Sequence, residues 1–194
     1  NVLIISPLNY PFQLAICPLI GAIAAGNNVT IKPSELTPKT AKIIYKIVTE
    51  VFDKNQANVV LGGIEEAQKL LQQKWDYIFF TGSVAVGKIV AKAAAKNLTP
   101  VTLELGGKNP CIIDETANLK LAAKRIVWGK FVNAGQTCIA PDYILVQKNM
   151  KKHFVNFLKE EITKAYGENP EESPDFARII NAKNWQRLVA LIEP

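Results

Sequence analysis

Residues 2–32, VLIISPLNYPFQLAICPLIGAIAAGNNVTIK, decide the fold of this chain. The β-branched runs from Val2 to Ile5 and from Val29 to Lys32 each predict a strand, and the apolar stretch from Phe12 to Ala25 predicts a helix between them. Two strands joined by a helix of this length pair in parallel through a right-handed crossover. The stretch therefore predicts the first unit of an α/β sheet.

The same alternation continues to about residue 105. Further strands are predicted at Val59 to Leu61, Tyr77 to Phe80 and Val101 to Leu105, and further helices at Pro38 to Phe52, Glu65 to Gln73 and Ala85 to Lys96. Strands that alternate with helices predict an α/β fold with a doubly wound, mostly parallel, Rossmann-like sheet.

A second block follows the Gly106-Gly107 turn. It contains predicted strands at Cys111 to Ile113 and Tyr143 to Gln147, and predicted helices at Leu119 to Val132, Lys151 to Ala165 and Ala182 to Ile192. We place the domain boundary near Leu105, which gives domains at 1–105 and 106–194. The chain opens on a strand without an initiator Met and stops as a helix closes, so we expect it to be an internal piece of a longer protein.

Composition excludes several classes of protein. The chain has 194 residues and is 48% hydrophobic, enough to bury a core, and no apolar run reaches the roughly 18 residues that span a bilayer. One His and three cysteines without a CxxC pair give no zinc site, and we predict no metal. The net charge is +6, but the lysines are scattered, which argues against nucleic acid. We expect a cytoplasmic protein; an anchor outside this piece stays open.

Cys138 lies in FVNAGQTCIAPDY, residues 131–143, in a loop between a predicted helix and a predicted strand. Reactive groups often lie on loops held by rigid elements. By itself, a lone cysteine is more often a small buried hydrophobic residue, and the apolar neighbours of Cys17 and Cys111 favour that interpretation for those two. For Cys138, a nucleophilic role requires an accessible thiolate.

Glu104 lies in LELGGK, residues 103–108, at the end of an otherwise apolar strand. An acidic residue there is either solvated or placed at the carboxyl edge of the sheet, where open α/β sheets bind ligands. Asn9 lies in the SPLNYPF segment, a proline-bounded turn in which, taken alone, we expect it to stabilise the entry to the first helix.

Two further turns follow predicted strands. Lys32 and Glu35 lie in IKPSE, which taken alone is typical of an exposed charged loop. The turn FFTGSVAVG, residues 79–87, is not a G-x-G-x-x-G fingerprint, and a helix cap at Ser83 is a sufficient structural account of it. A helix N-terminus is also a site that favours phosphate.

Taken together, these five motifs resemble the aldehyde dehydrogenase superfamily, in order and across essentially all 194 residues. They are NYP, KPSE, FTGS, ELGGK and GQxC. Residues 135–143 and FARIIN, residues 176–181, look most like the class 3 branch, which includes fatty aldehyde dehydrogenases. The sequence departs from the family at Leu8, where tryptophan is usual.

The resemblance implies a mechanism. Cys138 would form a thiohemiacetal and then a thioester, Asn9 would hold the oxyanion, and Glu104 would activate the hydrolytic water. Lys32 and Glu35 would bind the adenosine ribose of NAD or NADP. Thr81, Gly82, Ser83 and Gly87 would form the turn that receives its pyrophosphate. The implied substrate is a medium- or long-chain aliphatic or an aromatic aldehyde, and the implied full-length protein is a homodimer.

Two other functions remain open from the sequence. One is an acylating dehydrogenase that transfers the thioester to coenzyme A; the retained Glu104 and its motif argue against it. The other is a non-catalytic nucleotide-binding relative, against which the joint presence of Cys138, Glu104 and Asn9 argues.

Overall fold

The computed structural model describes residues 1–192, so Glu193 and Pro194 at the end of the predicted second domain lie outside the described residues. The chain forms two compact units, Asn1–Gly106 and Gly107–Pro194. The assignment of cofactor binding to the first unit and catalysis to the second stays a prediction. Within residues 1–192, no helix is both long enough and apolar enough to cross a bilayer.

The first unit is a five-stranded parallel sheet with the order β3-β2-β1-β4-β5. The predicted doubly wound α/β fold is thus confirmed. Its strands are β1 (Val2–Ile5), β2 (Val29–Lys32), β3 (Ala57–Val59), β4 (Tyr77–Gly82) and β5 (Val101–Leu105), and its helices are α1 (Gln13–Ala24), α2 (Pro38–Val51), α3 (Ile64–Leu71) and α4 (Val84–Ala95).

Both faces of this sheet are buried, as parallel sheets require. Val2 and Ile4 of β1 pack on one face in a cluster that includes Leu19 of α1. Leu3 points to the opposite face and packs in a cluster with Val90 of α4. Successive side chains of a strand point to opposite faces, so one short apolar strand contributes residues to two separate cores.

The prediction for the third strand is wrong by two residues. The sequence predicts Val59 to Leu61, whereas β3 is Ala57–Val59. Its register with β2 pairs Ala57 with Val29 and Val59 with Ile31, which buries both alanine and valine. Leu61 is exposed instead, because the chain leaves the sheet towards a glycine pair that precedes α3.

The second unit is a two-stranded parallel sheet covered by helices. It contains β6 (Asn109–Ile113), α5 (Leu119–Phe131), a 3-10 turn (Val132–Gly135), β7 (Pro141–Val146), α6 (Lys151–Tyr166) and α7 (Ala182–Ile192). Ile113 of β6, Ala123 and Ile126 of α5, and Phe154 of α6 form its core.

Candidate active site

The first unit brings several predicted site residues to one edge of its sheet. The register aligns Ile5 of β1 with Lys32 of β2 and with Phe80 of β4, and it aligns Thr81 of β4 with Glu104 of β5. All five strands are parallel, so their carboxyl ends share this edge. The connections reverse direction between β1 and β4, and such a switch point is where open α/β sheets bind ligands.

Lys32 is the buried charge of this edge. Its side chain is 3% exposed, and its ammonium donates to the carbonyl of Pro33 (2.8 Å) and to the Glu35 carboxylate (3.4 Å). A buried ammonium needs such partners, since desolvation is costly. The exposed-loop interpretation is therefore wrong for Lys32, whereas Glu35 is exposed as that interpretation predicts. A fixed donor beside a reachable acceptor suits a ligand with vicinal hydroxyls.

Glu66 is an acidic residue close enough to Lys32 to feel its charge, and the sequence alone does not single it out. The backbone N–H of Gly63 donates to its carboxylate at 2.7 Å. This bond, and a second bond from the backbone N–H of Glu66 itself, hold the pKa of the Glu66 carboxyl below its ordinary value. The positive charges of Lys69 and Lys32 lower this pKa further. The signal in the sequence is an acidic residue three positions after a glycine that precedes a helix.

The turn from β4 to α4 contains a helix cap and two glycines that lie close to neighbouring side chains. The Ser83 hydroxyl accepts from the N–H of Val86 (3.3 Å), so the predicted cap is present. A Cβ on Gly82 would lie 2.5 Å from the Phe80 ring, and one on Gly87 would lie 2.8 Å from Leu105. Both glycines therefore have packing reasons, and their predicted contact with a cofactor stays a prediction.

Asn9 lies in the loop that leaves the central strand β1. It is partly buried, and the next residue, Tyr10, has a positive φ of 47° and accepts from the N–H of Leu14 (2.9 Å). The chain thus turns sharply at Tyr10, one residue after Asn9, before α1 begins. At the start of the same loop, Ser6 is buried and its N–H donates to the carbonyl of Lys32 (3.1 Å). The loop is consequently anchored to the end of β2.

Glu104 is the penultimate residue of β5 and is exposed at the same carboxyl edge. Its neighbours Leu103 and Leu105 are partly buried and pack against the core of the sheet. The period of two along the strand therefore turns the carboxylate away from that core. A carboxylate in this setting can accept a proton from water.

Cys138 lies in a tight turn of the second unit. The N–H of Ala140 donates to the carbonyl of Thr137 (3.2 Å), which places Cys138 and Ile139 at the two central positions of a β-turn. Cys138 is partly exposed, whereas Ala140 is buried. A sulfur in this position is held by a rigid turn and remains reachable.

Asn109 fixes this turn and was missed from the sequence. Its side-chain nitrogen donates to the carbonyl of Cys138 (2.8 Å) and to that of Ala140 (3.1 Å). Both bonds join the start of β6 to the residues that precede β7. The only sequence signal is that Asn109 directly follows the ELGGK motif.

A β-bulge at Asp142 lies near the start of β7, the strand that follows Cys138, and forms two ion pairs. Asp142 is an extra residue of β7 opposite the step from Asn109 to Pro110. Its carboxylate lies 3.5 Å from the Lys108 ammonium and 3.8 Å from that of Lys130. Bulges next to active sites commonly redirect side chains. These partly exposed ion pairs contribute little stability, but they orient the start of β7.

The other two cysteines differ from their predicted setting. Cys17 is exposed on α1, so the prediction of a buried residue is wrong there, and Cys111 is only partly buried. Pro18 follows Cys17 inside the helix, and the thiol lies on the outer side of α1. Exposure of the thiol alone therefore does not distinguish Cys138.

Comparison with known proteins identifies the group to which these motifs belong. The aldehyde dehydrogenase family model matches residues 1–194. A 4,4'-diaponeurosporen-aldehyde dehydrogenase of Staphylococcus aureus is 57% identical over 99% of this chain and 42% of its own length. Aldehyde dehydrogenase family 3 member A2 of Macaca fascicularis is 56% identical over 99% of this chain and 40% of its own.

A solved structure agrees with the fold. The aldehyde dehydrogenase of Mycobacterium tuberculosis, complexed with NAD+, matches 99% of this chain and 40% of that chain, with 33% identity and a TM-score of 0.90. The present chain thus spans about two fifths of the length of the relatives it matches.

Proposed function

The chain belongs to the aldehyde dehydrogenase family, and we propose that the full-length protein oxidises aldehydes to carboxylic acids with NAD or NADP. The single observation that carries this proposal is Cys138, a partly exposed thiol at the centre of a hydrogen-bonded turn within the GQxC motif. Loops that hold a reactive group on rigid elements suit nucleophilic catalysis.

In the proposed reaction, the Cys138 thiolate adds to the aldehyde carbonyl and gives a thiohemiacetal. Asn9 donates its amide to the oxyanion, as oxyanion-hole donors do in acyl transfer. Bound NAD(P)+ would supply the hydride acceptor, and loss of hydride from the tetrahedral carbon would leave a thioester on Cys138. Glu104 then takes a proton from the water that hydrolyses the thioester.

The residues at the sheet edge fit the cofactor. The buried Lys32 ammonium and the adjacent Glu35 carboxylate supply a donor and an acceptor for ribose hydroxyls. Thr81, Gly82, Ser83 and Gly87 form the turn into α4, whose N-terminus favours a pyrophosphate. The NAD+ complex of the Mycobacterium tuberculosis relative supports a nicotinamide cofactor. The choice between NAD and NADP is part of the test.

The substrate class proposed is medium- or long-chain aliphatic or aromatic aldehydes. One relative acts, by its name, on 4,4'-diaponeurosporen-aldehyde, and another belongs to family 3. A homodimer is proposed for the full-length protein by family resemblance.

The test measures reduced-nicotinamide formation by the full-length protein. Aldehydes from short to fatty chains are supplied with NAD or NADP, beside a Cys138→Ala variant and a Cys17→Ala control. We expect turnover that increases with chain length, is lost in Cys138→Ala and persists in Cys17→Ala. A carboxylic acid product supports Glu104-assisted hydrolysis, whereas acyl-CoA formed on addition of coenzyme A identifies the acylating alternative. No turnover by the wild type would favour a non-catalytic relative.

A further inference from the structure

The turn that carries Cys138 is preceded by an unusual backbone. Asn133, Ala134 and Gly135 all have positive φ, at 55°, 51° and 75°. A non-glycine residue rarely adopts this conformation, and two in succession persist only where the surroundings determine it. Some contact must therefore hold this segment, and Gln136 is the residue that makes it.

Gln136 and Asn133 close the segment on itself. The backbone N–H of Gln136 donates to the carbonyl of Asn133 (3.1 Å), and the Gln136 side-chain nitrogen donates to the same carbonyl (3.0 Å). In return, the Asn133 amide donates to the carbonyl of Gln136 (3.2 Å). These reciprocal bonds span the left-handed residues and fix the backbone two positions before Cys138.

The same Gln136 amide also binds a distant part of the second unit. Its oxygen accepts from the N–H of Ile180 (3.0 Å), and its nitrogen donates to the carbonyl of Arg178 (3.1 Å). One side-chain amide thus pairs with a backbone donor and a backbone acceptor, as a strand residue would. Residues 178–180 belong to the FARIIN motif, to which the proposed mechanism assigns no role.

The segment that Gln136 binds is itself rigidly attached. The Arg178 guanidinium donates to the carbonyls of Phe176 and Glu171, both at 2.5 Å, and so folds residues 171–178 into a compact loop. The Phe176 ring packs edge-on against Tyr166, with centroids 5.2 Å apart, and against Phe131 at 6.2 Å. Tyr166 and Phe131 are the last residues of α6 and α5, so these ring contacts fix the loop to the ends of both helices.

We propose that Gln136 is a positioning residue for Cys138, which transmits the fixed geometry of residues 171–180 to the turn that carries the thiol. The proposal rests on the proposed function of Cys138 as the nucleophile. Gln136 acts through the backbone of residues 133–138 and has no role in cofactor binding. Its loss should therefore affect the reactivity of the thiol and turnover, and leave affinity for the cofactor unchanged.

Two variants of the full-length protein test this. Gln136→Glu keeps the size and the acceptor oxygen but loses both donations to carbonyls. Arg178→Met removes the two guanidinium bonds that fold the 171–178 loop and changes no residue of the Cys138 turn itself. Gln186→Glu is the matched control, because it makes the same chemical change at an exposed position on α7 of the same unit. The readouts are kcat and KM, NAD(P) affinity by fluorescence titration, and the pH dependence of Cys138 alkylation by iodoacetamide, resolved by peptide mass spectrometry.

For Gln136→Glu we expect kcat to fall by about 10²-fold, the loss that a misplacement of about 1 Å can cause. Alkylation of Cys138 should slow and change its pH profile, while cofactor affinity stays at the wild-type value. Arg178→Met should show the same pattern to a smaller extent. The double variant should lose no more than Gln136→Glu alone, because both residues act through one path. Gln186→Glu should match the wild type.

Two results would overturn the proposal: an unchanged alkylation profile and kcat in Gln136→Glu, or a proportional fall of kcat, cofactor affinity and Tm, which is a loss of folding only. The alkylation readout does not require dehydrogenase activity. A failed proposed function would instead appear as an inactive wild type or a fully active Cys138→Ala, so the two failures are distinguishable.

Discussion

The carbonyl groups around Cys138 are occupied on both sides of the residue. The Thr137 carbonyl accepts from Ala140, and the Cys138 carbonyl accepts from Asn109. These bonds fix the peptide planes of the turn, so the position of the sulfur depends on little more than rotation about one side-chain bond. Such preorganisation places a nucleophile without a cost in ordering at the moment of reaction.

At the scale of the single residue, we predict the effect of Asn9→Ala on turnover. The loss of one oxyanion donor typically costs about 10² to 10³ in kcat. We expect a decrease of this size in the full-length enzyme, measured by steady-state production of reduced nicotinamide. Cofactor affinity and Tm should stay close to wild type. Turnover near the wild-type rate would rule out Asn9 as the donor.

The sequence indicates which side chains carry the proposed chemistry, but not the hydrogen bonds that hold these side chains in place. Cys138, Glu104 and Asn9 follow from motifs in which residue type and spacing are informative. The bonds of Asn109 to Cys138 and of Gln136 to Ile180 span 29 and 44 positions and carry no local signal. They depend on how β6, β7 and the 171–180 loop pack, which only the folded chain defines.

Among the elements, strand and helix order could be read from hydrophobic periodicity because each element buries a regular apolar face. Val2–Ile5, Val29–Lys32 and Val101–Leu105 have the predicted limits. The third strand was misplaced because Val59, Val60 and Leu61 are all apolar, and residue type alone does not reveal which of them pairs with β2. The register places Ala57, a weak strand former, in the sheet.

The short helix α3 gives a prediction at the scale of the element. Glu66 accepts from the N–H of Gly63 and so forms half of a capping box; glycine has no side chain to return the bond. Its pKa is lower in the folded protein than in the unfolded chain. The charged carboxylate therefore stabilises the fold above the ordinary glutamate pKa of about 4.3, and this contribution is lost as the pH falls through the lower folded-state value.

We accordingly expect Glu66→Gln to lower the Tm of the full-length protein at pH 7 and to differ less from wild type near pH 3. Thermal unfolding across this pH range provides the measurement. Glu65→Gln removes a charge from the same helical turn but not the bond to Gly63, so it should show a smaller effect. A difference between Glu66→Gln and wild type that stays constant with pH would contradict the assigned stabilisation.

On the scale of the whole molecule, the chain consists of two compact units, each with its own apolar core. The proposed cofactor residues belong to the first and the proposed nucleophile to the second. The relatives are more than twice as long as the part that this chain matches. Aldehyde selection and subunit assembly are therefore questions for the full-length protein.

The proposed roles of Cys138 as nucleophile and Glu104 as base are tested most directly by trapping the acyl intermediate in full-length Glu104→Gln. This variant is incubated with a fatty aldehyde and NAD+, quenched in acid, digested and analysed by mass spectrometry. Loss of a general base slows its step by about 10² to 10⁴. We therefore predict that the Cys138 peptide carrying the acyl group accumulates to a level well above that in the wild type. This acylated peptide should be absent in Cys138→Ala. Continued oxidation of the aldehyde with an unmodified Cys138, or an acyl group on Cys17 or Cys111 instead, would show that Cys138 is not the nucleophile.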